Sequence, residues 1–146
     1  MFRRKTTITR PDRDRLVEVT RTKANALSFA MLIDELRREI QSARVVEPRH
    51  IAHDVVTMDS TVQFLDLGTR QREVYTVVYP SEADLNDGKL SVLTPLGTAL
   101  LGSRAGDVVS VPSLEGLRSL RIESVLDQPE AHGRADLQLS TTKEVA

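Results

Sequence analysis

The spacing of apolar residues changes character at one point, Val46-Glu47-Pro48, and that change constrains the fold more than any other feature. Before it, Phe29, Ile33, Leu36, Ile40 and Ala43 recur at intervals of four, three, four and three, the stripe of one helix. Asp34, Glu35, Arg37, Arg38 and Glu39 fall off the stripe. Proline at 48 lacks the N–H that a continuing helix needs, so the helical period stops there. Beyond it the runs are short and rich in β-branched and aromatic residues: Val55–Met58, Thr61–Leu67, Glu73–Tyr79, Leu90–Val92, Val108–Val111 and Leu117–Leu126. These read as strands separated by turns such as Leu67-Gly-Thr-Arg-Gln71 and Asn86-Asp87-Gly88. A chain that spends its first third on helices and the rest on a mainly antiparallel sheet belongs to the α+β class.

Helix ends are marked on both sides of the change. Thr9-Arg10-Pro11-Asp12 offers a hydroxyl N-cap, a proline in the first turn and an acid at the third position. The helix it starts runs through Leu16, Val17 and Val19 and fades near Arg21. A short link, Thr22 to Ser28, leads to the second helix, about 24 Å long at roughly 1.5 Å per residue. The pair is expected to form a stubby antiparallel hairpin with a coiled-coil-like seam. In the second part, Thr94-Pro95 repeats the capping arrangement and Gly102 supplies the stop, which predicts one short helix. After Gln128-Pro129 the periodicity ends. The organisation expected is a helical hairpin over 1–46, a sheet domain over 47–128, and a disordered tail over 129–146.

Composition removes whole classes of function. The chain of 146 residues has no cysteine, hence no disulfide, thiol nucleophile or cysteine metal site. Tryptophan is absent, and Phe2, Phe29, Phe64, Tyr75 and Tyr79 are the only aromatics, too few for a base-stacking platform. No apolar stretch approaches a bilayer span, and no leader is visible in Met1-Phe-Arg-Arg-Lys5, so a cytoplasmic protein is expected. Charge is divided: residues 1–46 carry eleven Lys/Arg and six Asp/Glu, residues 47–146 nine and fifteen. This fits either a basic arm for a polyanionic partner or two differently solvated faces. Asp12 and Asp14 interleave with Arg10, Arg13 and Arg15, which argues against direct sequence-specific nucleic-acid binding. His50, His53 and Asp54 lie close enough in sequence to suggest metal ligands, but they read better as polar residues leading into a strand. No nucleophile elbow, phosphate-cradling loop or HExxH helix occurs.

Four blocks, in this order, carry a family resemblance: His53-Asp-Val-Val-Thr-Met-Asp-Ser60, Val77-Val-Tyr-Pro80, Leu90-Ser-Val-Leu-Thr-Pro-Leu-Gly-Thr-Ala-Leu-Leu-Gly102, and Gly106-Asp107. Together they resemble the carboxy-terminal domain of the bacterial Gre transcription factors. The short amino-terminal hairpin makes the chain most similar to the Gre-related regulators of nucleoside diphosphate kinase. The likeness covers about residues 8–130. It implies an FKBP-like domain carrying a coiled-coil hairpin, and binding to bacterial RNA polymerase near its secondary channel.

The resemblance also implies a docking role for Leu93, Thr94 and Pro95, the turn entering the short helix; the residues alone are equally those of a helix cap. Cleavage-stimulating Gre factors carry acids at the hairpin tip that hold magnesium, which needs hard oxygen ligands. Here no acid occurs between Glu18 and Asp34, and the tip offers Arg21, Lys23 and Asn25. Lysine and arginine cannot ligate a cation. The expectation is a monomeric, non-enzymatic regulator without metal or cofactor, which competes with Gre factors and does not stimulate cleavage. The alternative is an interaction module acting on another enzyme, nucleoside diphosphate kinase. Prolyl isomerase activity is not expected, since Phe64, Tyr75 and Tyr79 would have to line an aromatic pocket.

Overall fold

The computed structural model describes residues 6–21 and 30–132. A three-residue strand β1 (Thr7–Thr9) leads straight into helix α1 (Arg10–Arg21). Helix α2 (Ala30–Ser42) follows and leads into strand β2 (Arg44–Val46). The two strands pair in parallel, Thr7 opposite Arg44 and Thr9 opposite Val46. Parallel neighbours need a long crossover connection, and here the two helices are that connection. This pair departs from the sequence reading, in which residues 44–46 close the second helix. Helix α2 stops at Ser42 instead, and Arg44 donates its N–H to the Thr6 carbonyl at 2.7 Å. β-branched Val45 and Val46 are content in either state, so the pairing with β1 decides.

The remaining strands are β3 (Thr61–Asp66), β4 (Arg72–Val78), β5 (Lys89–Ser91), β6 (Val108–Ser113) and β7 (Gly116–Asp127), in the spatial order β5-β4-β3-β7-β6. All pairings are antiparallel except β4 with β5. The β3–β4 turn is held by Asp66, whose carboxylate accepts from the N–H groups of Gly68 (2.8 Å) and Thr69 (3.1 Å). Arg118 bridges Asp66 (3.0 Å) and Glu73 (2.5 Å) beside it.

Val55–Met58 is not the strand that its β-branched run predicts. Val55 makes one isolated bridge to Arg104. Val56 exchanges backbone hydrogen bonds with Gly102 (2.7 Å) and Ser103 (2.9 Å), where the short helix ends. All four residues are buried. The run is apolar because it lies inside, and its partner is an irregular segment that cannot extend a ladder.

Helix α3 (Pro95–Leu100) packs against β6 and against α2. One continuous apolar cluster joins Leu16, Ile33, Leu36 and Ile40 of the two long helices to Met58, Val62, Phe64, Leu93, Leu100 and Ile122. The stripe expected along α2 is therefore buried against the rest of the molecule as well as against α1. Of the stretch past β7, Gln128 donates to the carbonyls of Ala52 (2.7 Å) and Val55 (2.9 Å), and Glu130 accepts from the Thr57 hydroxyl at 2.6 Å. Residues 133–146 lie outside the described residues.

Candidate docking surface

The turn 93–95 is shaped by its cap. Thr94 takes extended backbone angles, accepts the Gly97 N–H at 3.0 Å and donates to the Ser91 carbonyl at 2.8 Å. Pro95 occupies the first helical position, where its missing N–H costs nothing. Gly97 is required by approach: a Cβ there would stand 2.2 Å from the Ser91 carbonyl oxygen and 2.9 Å from the Val92 Cα. The helix is thus pressed onto β5, with Thr98 donating to the Val92 carbonyl at 2.7 Å.

The three residues singled out in this turn do not share one environment. Leu93 is buried, with 3% of its surface exposed, Thr94 is half-buried by its capping bonds, and Pro95 is exposed. The turn stands between two grooves. One, of about 690 Å³, is lined by Leu93 and Thr94 together with Arg15, Val19 and Tyr79. The other, of about 470 Å³, is lined by Pro95, Met31 and residues of β6.

Beneath the first groove lies a polar junction that sequence reasoning missed. Asp12, on the first turn of α1, points away from the helix N-terminus into the body of the protein. Its carboxylate accepts the Met58 N–H at 3.1 Å and the Tyr79 hydroxyl at 3.5 Å. The Arg15 guanidinium sits 3.8 Å above the centre of the Tyr79 ring, a cation–π contact. Burial pushes the Asp12 carboxyl up to about 6, against the pull of the Met58 N–H and the Thr9 hydroxyl and with help from Glu130 and Asp59. Burial also raises the Tyr79 phenol, and the neighbouring Asp12 charge raises it further. Asp59, whose φ is +66°, has its carboxyl raised by burial and by Glu82. The acid at 12 is visible in the sequence, but nothing local distinguishes a first-turn acid facing solvent from one that crosses to another segment.

Arg21 closes α1, exposed and paired with Glu18 at 3.4 Å. Lys23 and Asn25, the other two tip positions, lie outside the described residues. Asp54 pairs with Arg104 at 3.2 Å, so it is engaged away from His50 and His53. Among the described residues, no three His, Asp or Glu side chains gather as a metal site would require. Phe64 and Tyr79 are buried, and Tyr75 stacks on Phe64 with ring centres 6.1 Å apart. Among the described residues no helix is long and apolar enough to cross a membrane.

Comparison with known proteins supplies the family. The family model for "Transcription elongation factor, GreA/GreB, C-term" matches residues 51–127, more than half of the chain. A regulator of nucleoside diphosphate kinase from Escherichia coli K12 is 38% identical over 103 residues, covering 70% of this chain and 76% of that protein. A transcription elongation factor GreA from Acidiphilium cryptum is 37% identical over 93 residues, covering 64% of this chain and 59% of the relative. The chain thus spans only part of the GreA proteins it matches. Among solved structures, a prokaryotic transcription elongation factor GreA/GreB from Nitrosomonas europaea superposes with a TM-score of 0.69 at 37% identity, over 84% of this chain and 98% of that one. The four sequence blocks lie in or beside the matched region, and the chain belongs to the GreA/GreB family of transcription elongation factors.

Proposed function

We propose that the protein is a non-catalytic transcription regulator that binds bacterial RNA polymerase near its secondary channel. In this reading it docks through the 93–95 turn and competes with Gre-type factors without stimulating transcript cleavage. It works in the cytoplasm as a monomer, with residues 47–128 as an FKBP-like docking unit and residues 1–46 as a helical hairpin. The observation that carries the reading is the stretch between Glu18 and Asp34, which holds no carboxylate. A magnesium ion in the polymerase active site would find no carboxylate there, only neutral oxygens such as the hydroxyls of Thr20, Thr22 and Ser28 and the amide of Asn25. Support for docking comes from Pro95, exposed on a ridge between two grooves, on a helix start that Thr94 and Gly97 hold rigidly.

Stalled, backtracked elongation complexes provide the test. Incubated with the wild-type chain, they are expected to release 3′ fragments at the rate of polymerase alone, and to release fewer when the chain is added to a cleavage-stimulating Gre factor. Cleavage above the polymerase background overturns the non-catalytic reading. The double change Lys23→Asp with Asn25→Glu then asks whether carboxylates alone are missing: cleavage gained by it assigns the deficit to ligands and not to hairpin length.

The 38% identity to a regulator of nucleoside diphosphate kinase favours a second reading, an interaction module acting on that enzyme without stable polymerase binding. Pull-down from a bacterial lysate, read by mass spectrometry, separates the two. Polymerase subunits recovered in stoichiometric amount support the first reading, and the kinase recovered without them supports the second.

A further inference from the structure

Two turns wall a third groove, of about 700 Å³: the β3–β4 turn at Leu67–Thr69 and the β6–β7 turn at Ser113–Glu115. Strand β7 lies between β3 and β6 in the sheet, so its Leu117–Ser119 form the floor. Inside the groove the charges are satisfied, since Arg118 is held by Asp66 (3.0 Å) and Glu73 (2.5 Å). The apolar groups are not. Leu114, at the tip of its turn, is wholly exposed, and Leu117 is 74% exposed. Two large apolar side chains in water on one hairpin mark a contact surface. The walls also differ in sign. Glu115 stands on one, and Arg70 ends the turn that makes the other. Both are exposed, and among the described residues neither side chain has an ion-pair partner.

We infer that two copies of the chain associate through this groove about a two-fold axis, each placing its Leu114 in the groove of the other. The patch is complementary to itself: it carries a knob and a hole, and an acid and a base on opposite walls. Turned over by a two-fold, Glu115 of one copy faces Arg70 of the other, and both pairings form twice. Open-ended stacking along the sheet edge is disfavoured, because Pro112 takes one N–H donor out of the edge strand β6. Such a contact closes at two copies. It is built from two turns and sits at the small end of interfaces, with a dissociation constant of about 0.1 mM. In the reading above a single copy docks on polymerase, so the pair is a resting form of the free chain from which docking copies dissociate. That consequence alone rests on the polymerase-binding reading.

Sedimentation equilibrium of the full-length chain over a dilution series tests the pairing without polymerase. The average mass is expected to rise toward two copies with concentration and to level there. Leu114→Asp should abolish the rise with an unchanged melting temperature, because its side chain is exposed. Arg70→Glu alone and Glu115→Arg alone should each weaken pairing about tenfold, and the two together should restore it, which only a direct contact between the two positions does. A chain that stays monomeric up to about ten times the expected dissociation constant overturns the inference. So does a dimer that Leu114→Asp leaves intact, or one whose loss in the single charge variants the double variant does not rescue. Titration of core RNA polymerase with labelled chain separates the partners. Leu114→Asp should bind polymerase at least as tightly as wild type. A monomeric wild type whose polymerase binding Leu114→Asp weakens would place the polymerase in this groove and overturn the choice of a second copy. If the wild-type chain pairs but does not bind polymerase, the pairing stands and the polymerase-binding reading falls.

Discussion

Helices α1 and α3 start alike and then diverge at the same position. Each has a threonine N-cap and a proline in the first turn, Thr9-Arg10-Pro11 and Thr94-Pro95-Leu96. The third helical residue is Asp12 in one and Gly97 in the other, and each is dictated by what lies across from it. At α3 the β5 backbone comes so close that no side chain fits. At α1 a gap remains, and a carboxylate spans it to reach Met58 and Tyr79. One contact is steric and neutral. The other is ionisable, so the attachment of the amino-terminal helix responds to pH while the attachment of the short helix does not.

The largest expected break of this comparison is Gly97→Ala. A Cβ 2.2 Å from a backbone oxygen must lift the helix or shift β5, which should cost about 3 kcal/mol. Urea denaturation would measure it; a loss below about 1 kcal/mol would show that the close approach is not a constraint.

Next comes Asp12. Its carboxyl titrates at about 6 in the folded chain against an ordinary value of 3.8. The folded state therefore holds the proton more tightly, and this group stabilises fully below about pH 4, with the contribution lost as pH rises to 6. The loss amounts to about 3 kcal/mol, in the direction of lower stability at neutral pH. Asp12→Asn keeps an acceptor for the Met58 N–H and removes the charge. The difference in unfolding free energy between variant and wild type should then grow in favour of the variant from pH 4 to pH 7. Parallel pH profiles for the two chains would remove the ionisable junction from the comparison.

The caps sharpen the same contrast at smaller scale. Thr94→Val deletes a hydroxyl with two bonds, at 2.8 and 3.0 Å, and should cost about 1–2 kcal/mol. At Thr9 the cap is longer, 3.3 Å to the Asp12 N–H, and Thr9→Val should cost about 0.5–1 kcal/mol. Thr9→Val should also move the Asp12 titration upward, because its hydroxyl favours the charged form. Equal costs in thermal melts would mean that cap geometry does not rank these two helices.

Pro95→Ala should cost no more than the Thr9 change, about 0.5–1 kcal/mol from lost pre-organisation. Its effect on polymerase affinity should be much larger than its effect on melting temperature if the exposed ring is a contact. Binding at wild-type strength would leave the turn as a helix cap alone.

Much of the molecule was legible from local signals. Both Thr–Pro helix starts, the Leu67–Gln71 turn and the strands at 61, 73, 108 and 117 follow from caps, periodicity and turn chemistry, which act within four or five residues. The family was legible as well, because four blocks in order carry it. Other features were not. Val55–Met58 has the composition of a strand but sits inside against an irregular partner. β1 and β2 are three residues each, too short for any period, and exist by pairing with one another across 37 positions. Leu93, singled out with Thr94 and Pro95, faces inward.

By itself, then, the sequence determined the class, the helix starts, the order of elements and the lack of carboxylates between Glu18 and Asp34. Only the tertiary structure decided which carboxylate crosses to a distant segment, which member of the turn is exposed, and that α2 and β6 form two walls of one groove. The physical reason is range. A cap or a period is an interaction among neighbours, whereas the environment of Asp12 is made by Met58, 46 residues away, and that of Thr57 by Glu130, 73 residues away. Desolvation and close approach belong to such distant pairs, and no local pattern encodes them.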